Sequence, residues 1–178
     1  AVTKRMGELY SDVFNDLFDM EMIGLRYFNI FGPRQSPDGV YAAVVPKFID
    51  LIIQGKSPEI LGDGEQSRDF TFVSNAVDAN LAALTTANTD AFGKSFNIAC
   101  GSRMSINEIF RELRWMISNE KPGVVDIEPE YSDERAGDVK HSLADISLAK
   151  ELLKYSPEID CFEGLAITVK SYFSGEVQ

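Results

Sequence analysis

The chain has 178 residues and carries 17 Lys+Arg against 28 Asp+Glu, a formal net charge of -11. That is one domain, or one and a piece, at roughly 150 residues per domain. Its 44% hydrophobic and 25% charged residues support a packed core and exclude wholesale disorder. The acidic balance argues against nucleic acid as a partner, since such a binder needs a surplus of Lys and Arg, no apolar run reaches the roughly 18 residues of a membrane span, and Cys100, Cys161 and the lone His141 are too few for a disulfide scaffold or a Cys/His zinc site.

The first residues, Ala1-Val2-Thr3-Lys4, carry no initiator Met, basic n-region or apolar h-region, and read as a helix already under way. The expectation is a piece of a longer protein, in a reducing and therefore cytoplasmic compartment. Apolar Val2, Met6, Leu9, Val13, Phe14 and Leu17 recur at helical steps and predict a helix over 2–17. Residues 22–28 are short, apolar and aromatic, a buried strand. Gly32, Pro33, Pro37 and Gly39 mark a loop. Pro46 suits the first turn of a helix to Ile53 that Gly55 closes. Strands follow at 59–61 and 70–73, separated by the turn Gly62-Asp63-Gly64.

Ser74 can cap a helix to about Ala87 with Val77, Leu81 and Leu84 on one face. A strand at 95–99 ends at Gly101. Ser105 and Glu108 have the spacing of a capping box for a helix to about Ile117. A strand is expected at 124–127, a polar irregular stretch at 132–140, a short helix from Asp145 to Leu153, and a last one from Asp160 or Cys161 to about Phe173. Helices alternating with short strands give an α/β class.

Several residues have the chemistry of a site. Lys4 reads either as a solvated helix lysine or as a functional cation. The polar tract from Asn29 to Gln35 follows a buried strand, and ligands bind at the carboxyl ends of α/β strands; Asn29 equally suits a turn. Gly62-Asp63-Gly64-Glu65-Gln66-Ser67-Arg68-Asp69 sets turn glycines beside an arginine whose fork matches phosphate oxygens. A local surface pair between Arg68 and Asp69 is the plainer alternative. Glu134-Arg135-Ala136-Gly137-Asp138 leaves the same choice open. No G-x-x-x-x-G-K-[ST] or G-x-G-x-x-G occurs in the chain. Cys100, with no base nearby in sequence, reads as core.

The order A-V-T-K, L-R-Y-F-N-I-F-G-P-R-Q, G-D-G-E-Q-S-R-D-F-T-F-V and E-R-A-G-D-V-K-H-S closely resembles the extended short-chain dehydrogenase/reductases. Within them it resembles the NAD-dependent nucleotide-sugar epimerases and dehydratases, over almost the whole chain. The resemblance implies the C-terminal half of such a protein. Residues 1–30 would be the remnant of an NAD-binding Rossmann domain, its active-site helix and the following strand. Residues 31–178 would be mainly a small α/β substrate-binding domain, with 75–100 returning to the Rossmann sheet.

Lys4 matches the lysine of the family's Y-x-x-x-K, whose tyrosine would stand immediately before Ala1. Residues four apart share a helix face, and a lysine cation there lowers a tyrosine pKa so that the phenolate can take a sugar hydroxyl proton. The family lysine also holds the nicotinamide ribose, and Tyr27 and Phe28 match residues lining the nicotinamide side. Asn29 matches the asparagine on the UDP-sugar phosphates, Arg68 and Arg135 the arginines that clamp pyrophosphate and nucleotide, and Asp138 the acid on the uridine ribose. Glu59 and Leu61 fall where a strand backbone pairs with uracil. Phe70 stands where other members often carry tyrosine.

Small Ala43 and Ser142 leave room beside the hexose C2, and R-Q-S-P-D-G-V-Y-A-A-V-V-P is similar to UDP-N-acetylglucosamine 4-epimerases, with Gln35 matching a sugar-pocket glutamine. A pocket that is merely large rejects a smaller substituent by only about 1–3 kcal/mol, so tolerance of the unacetylated hexose is expected. The implied partner is a UDP-sugar and the implied cofactor NAD; no metal is expected. The chain by itself is expected to be inactive and to self-associate, as a homodimer or otherwise. The alternatives are a UDP-glucuronate epimerase or decarboxylase, a sugar-nucleotide 4,6-dehydratase, or a non-catalytic nucleotide-sugar-binding module.

Overall fold

The computed structural model describes residues 2–39, 43–134 and 137–175. Helix α1 (Val2–Phe18) leads into strand β1 (Ile23–Tyr27) and the two-residue β2 (Ile30–Phe31), followed by α2 (Val44–Ile53), β3 (Glu59–Leu61), β4 (Ser67–Arg68), β5 (Thr71–Phe72) and α3 (Val73–Thr85). The second half comprises β6 (Lys94–Ile98), β7 (Met104–Ser105), α4 (Ile106–Glu120), β8 (Glu130–Ser132), α5 (Ser147–Leu152) and α6 (Cys161–Phe173), with 3₁₀ turns at Thr89–Ala91 and Pro122–Val124. This is a mixed α/β chain, as the alternation of patterns requires.

Among the described residues the strands pair in twos. The pairs β1–β6, β2–β5 and β3–β8 are parallel, and β4–β7 is antiparallel. In the first, Tyr27 lies opposite Ile98, so the chain leaves both strands at one end, through Asn29 and through Cys100–Gly101. That end carries the candidate site.

Two apolar clusters hold the chain together. One joins Phe48, Ile49 and Ile52 of α2, Ile109, Leu113 and Ile117 of α4, and Leu165 and Val169 of α6 to Phe31, Phe70 and Phe72. Helix α6 lies close on the aromatic layer because Gly164 faces it: a Cβ there would stand 2.9 Å from both Phe31 Cζ and Phe72 Cβ. The other surrounds Phe96 and Ile98 of β6 with Ala79, Ala149, Leu153 and Tyr155, and Ile23 and Leu25 pack against it.

The capping box is present. Ser105 Oγ accepts from the Glu108 N–H at 3.2 Å, and Glu108 Oε2 accepts from the Ser105 N–H at 2.7 Å. Asp160 caps α6 by accepting from the Glu163 N–H.

Five expectations need correction. Strand β1 is not buried: Ile23, Gly24 and Leu25 are half-buried, and Arg26 and Tyr27 are exposed. Residues 124–127 are not a strand; Pro122 starts a 3₁₀ turn that buries Val124, and the strand comes later, at Glu130–Ser132. Ser74 is not a cap, because α3 starts at Val73 directly behind β5, with Phe72 as the cap residue and no side-chain cap bond. The short helix starts at Ser147, and Asp145 instead accepts from the Ser147 N–H. The α3 face of Val77, Leu81 and Leu84 is exposed; Asn75, Ala76 and Ala79 are the buried residues.

Candidate functional site

The strap 67–70 organises the site. Arg68 comes off the end of β4, 17% exposed, and its Nη2 donates to Asp138 Oδ1 at 2.6 Å. Nη1 donates to the Ser67 and Lys140 carbonyls at 2.9 and 3.3 Å. The expected alternative of a local Arg68–Asp69 pair is therefore wrong. In extended chain successive side chains point to opposite faces, so Arg68 faces outward while Asp69 turns in and is wholly buried.

Ser67 ties the strap to the segment that carries Asp138 and Ser142. Its N–H donates to the Lys140 carbonyl at 2.9 Å, its carbonyl accepts from the Ser142 N–H at 3.0 Å, and its hydroxyl meets His141 Nδ1 at 2.9 Å. Asn29 reaches the strap from the other side. Its Nδ2 donates to the Asp69 carbonyl at 2.9 Å, and its own carbonyl accepts from the Thr71 N–H at 3.2 Å. Asn29 has φ 39, a left-handed backbone that costs a non-glycine residue energy and persists only where surrounding bonds fix it.

A small cavity of about 100 Å³ opens between Asn29, Ala43 and Phe70, with Ile30, Phe31, Val44 and Val45 completing its wall. Phe70 is packed edge-on against Phe31, with ring centroids 6.5 Å apart. Gln35 Nε2 donates to the Ile30 carbonyl at 3.1 Å, while its Oε1 is buried without a hydrogen-bond partner among the described residues.

Glu59 and Leu61 lie on β3 opposite Glu130 and Ser132 of β8, both exposed, and the Leu61 carbonyl accepts from Gln66 Nε2 at 2.7 Å. The Gly62 N–H closes the pairing on the Ser132 carbonyl at 2.9 Å. Gly64, at φ +74, has no room for a Cβ, which would fall 2.0 Å from Asn107 Oδ1.

Arg135 lies outside the described residues. Its neighbour Glu134 packs beside Gly62, and Asp138 beyond it meets Arg68.

Lys4 and Tyr27 line a separate hollow of about 530 Å³ between α1 and β1, which runs along the strand from Met22 to Tyr27. Lys4 makes no ion pair among the described residues. Tyr27 donates to Asn80 Oδ1 on α3 at 2.9 Å, and Phe28 packs on the second cluster. A lysine and an aromatic ring at one mouth fit the nicotinamide-ribose end of a dinucleotide; the chain has no glycine-rich loop for its phosphates.

Asp69, Ser67, His141 and Gln66, none of them expected as site residues, hold the site together. Only the proximity of Asp69 to Arg68 pointed to any of them. Cys100 is half-buried and its thiol is pushed up by burial and by the Asp69 charge. Among the described residues no group of three His, Cys, Asp or Glu is placed to hold a metal ion, and no helix is long and apolar enough to cross a membrane.

Comparison with known proteins gives these features a context. The profile of the NAD dependent epimerase/dehydratase family matches residues 1–99. A putative UDP-glucose 4-epimerase of Methanocaldococcus jannaschii is 37% identical over 93% of this chain and 50% of its own length. The solved UDP-N-acetylglucosamine 4-epimerase of Methanobrevibacter ruminantium, in complex with UDP-N-acetylmuramic acid, is 43% identical with a TM-score of 0.80, over 94% of this chain and 51% of that one. The UDP-glucose 4-epimerase of Thermotoga maritima with UDP-glucose superposes with a TM-score of 0.87 at 34% identity, over 98% and 53% of the two chains. The chain spans about half the length of the curated relatives it matches.

Proposed function

Because this chain belongs to the NAD dependent epimerase/dehydratase family, we propose that it is the UDP-sugar-binding part of a nucleotide-sugar 4-epimerase that interconverts UDP-N-acetylglucosamine and UDP-N-acetylgalactosamine. The observation that carries the reading is the gathering of Arg68, Asp138, Ser142 and Asn29 around the 67–70 strap, with Asn29 at the carboxyl end of the parallel pair β1–β6. In α/β folds that is where ligands bind.

In this reading Arg68 and Asn29 take the diphosphate and Asp138 the uridine ribose. An incoming phosphate oxygen competes with Asp138 for Nη2 of Arg68, which frees that carboxylate to turn to a ribose hydroxyl. The backbone of Glu59 and Leu61 lies along the base. Arg135 is assigned the second phosphate contact from its motif alone. Ala43 and Ser142 leave the sugar end open, and Gln35 Oε1 offers an acceptor to a sugar hydroxyl. Higher identity to a UDP-N-acetylglucosamine 4-epimerase than to a UDP-glucose 4-epimerase supports an acetamido sugar.

NAD supplies a hydride acceptor and donor for C4 of the sugar. Lys4 is assigned to the nicotinamide ribose and to lowering the pKa of a tyrosine one helical turn before it, with Tyr27 and Phe28 along the nicotinamide side. The 178 residues assayed by themselves are proposed to lack epimerase activity and to self-associate; light scattering that reports a monomer at high concentration sinks the second point.

The test is to incubate the complete gene product with UDP-N-acetylglucosamine and follow UDP-N-acetylgalactosamine. A 4-keto-6-deoxy product, or turnover confined to UDP-glucuronate, overturns the assignment. Arg68→Ala is expected to weaken UDP binding by about 10–150-fold, the equivalent of about 1.5–3 kcal/mol for a charge-assisted hydrogen bond; titration calorimetry reads it.

A further inference from the structure

Asp69 is the only carboxyl group among the buried described residues, with 0% of its surface exposed. An ionised carboxylate is costly to bury unless its oxygens are taken. Both are: Oδ1 accepts from the Cys100 N–H and Oδ2 from the Gly101 N–H, each at 3.0 Å. Two successive amides converging on an anion form a backbone nest, which requires a left-handed residue, and Gly101 supplies it at φ +74. The Asp69 carbonyl accepts from Asn29 Nδ2, and the chain neighbour of Asp69 is Arg68. Three segments thus meet at one residue: the strap itself, the exit of β1 at its carbonyl and the exit of β6 at its carboxylate.

The strap's other hydrogen bonds run from Ser67 to residues 140–142 and from the Asp69 and Thr71 backbone to Asn29. Strands β4 and β5 are two residues each, too short for a ladder to set their position. Arg68 is held outward by its own carbonyl contacts and by Asp138, which fix the guanidinium relative to the strap and leave the strap's placement on the sheet to other bonds. The Asp69 carboxylate makes that connection, to the loop behind β6.

We infer that Asp69 is a positioning residue: by anchoring the strap to the nest at Cys100–Gly101 it sets where Arg68 and Asn29 stand for a nucleoside diphosphate. The inference rests on the nucleotide-sugar reading above and names the residue that places its anion-binding groups. Asp69→Asn keeps the shape but sets an NH₂ group against an amide donor. In the complete gene product it is expected to weaken UDP binding and raise KM by about tenfold or more. It should leave bound NAD unchanged and kcat within about threefold, since binding common to ground and transition states is what is lost. Asp69→Glu, which keeps the charge, should recover part of the loss and serves if Asp69→Asn does not fold.

A residue that acts through Arg68 adds nothing once Arg68 is gone. The double variant Arg68→Ala/Asp69→Asn should therefore bind UDP no more weakly than Arg68→Ala alone. Folded Asp69 variants with wild-type UDP affinity, or additive losses in the double variant, overturn the inference. If Arg68→Ala itself leaves UDP binding intact, the nucleotide-sugar reading falls. The positioning role is then judged from the solved structure of Asp69→Asn, where a retained Arg68–Asp138 pair refutes it and a displaced guanidinium upholds it.

Discussion

Helices α1 and α4 are both amphipathic, 17 and 15 residues long, and both carry apolar residues at helical spacing. In α4 six of those side chains are buried, among them Ile109, Leu113 and Ile117 at 0% exposure. In α1 none is buried; Val2, Met6, Leu9, Val13, Phe14 and Leu17 are all 40% exposed or more. Periodicity therefore identifies a helix and its apolar face but not what lies against it. Helix α4 is sandwiched between α2 and α6, whereas α1 is fixed to β1 by Arg26, whose Nε and Nη2 both donate to the Glu8 carboxylate. Helix α3 is intermediate: small residues face the sheet, and Val77, Leu81 and Leu84 face out.

The contrast is broken most sharply in the core. Leu113→Ala removes a fully buried side chain from between α2 and α6 and should cost about 2–5 kcal/mol, transfer plus cavity. Urea unfolding of the 178-residue chain reads this as a lowered midpoint with unchanged slope. A loss below about 1 kcal/mol would mean that α4 is not the centre of the fold.

The cap of α4 contributes less, and in a pH-dependent way. Ser105→Ala removes the acceptor for the Glu108 N–H and should cost about 0.5–2 kcal/mol. The Ser105 N–H and hydroxyl hold the Glu108 carboxyl below its usual pKa. A depressed carboxyl stabilises the fold fully above its unfolded value, about 4.3, and that contribution is lost as pH falls through the lower folded value. Wild-type stability should therefore decline with acid in this window more steeply than that of Glu108→Gln. Equal slopes would show that the box does not hold the charge.

These elements were legible in the sequence because their signals are local. Ser105 and Glu108 stand three apart, and the α4 stripe repeats over four turns. The parallel partner of β1 was not legible, since Ile23 meets Lys94, a residue far along the chain with two helices and several strands between. The site was legible in its parts and not in its wiring. Arg68 and Asp138 lie 70 residues apart, and β4, β5 and β7 are too short for period-two alternation to show which side of the strap faces inward. So Arg68 and Asp69 look like a surface pair on paper, although one reaches outward and the other anchors the chain. The strand expected at 124–127 failed similarly: Val124 is apolar and buried, but Pro122 makes the segment a turn.

The smallest effect on global stability is expected at α1, and it discriminates best between the two ways a helix is held. Glu8 sits between Arg26 and Arg5, whose hydrogen bonds bring its carboxyl down to about 2. Glu8→Gln removes the bidentate contact and leaves the apolar face as it is. Amide exchange should then quicken along α1 alone, with the slowest α4 amides unchanged, because exchange in separate cooperative units reports their separate stabilities. Salt of about 1 M, where the screening length is about 3 Å, should mimic the variant. Leu9→Ser tests the opposite view: it should leave α1 exchange almost unaltered if the ion pair is the tether. Release of α1 by Leu9→Ser and not by Glu8→Gln would show instead that the apolar face is covered in solution, by a second copy or by further chain. The dependence of exchange on protein concentration then separates those two.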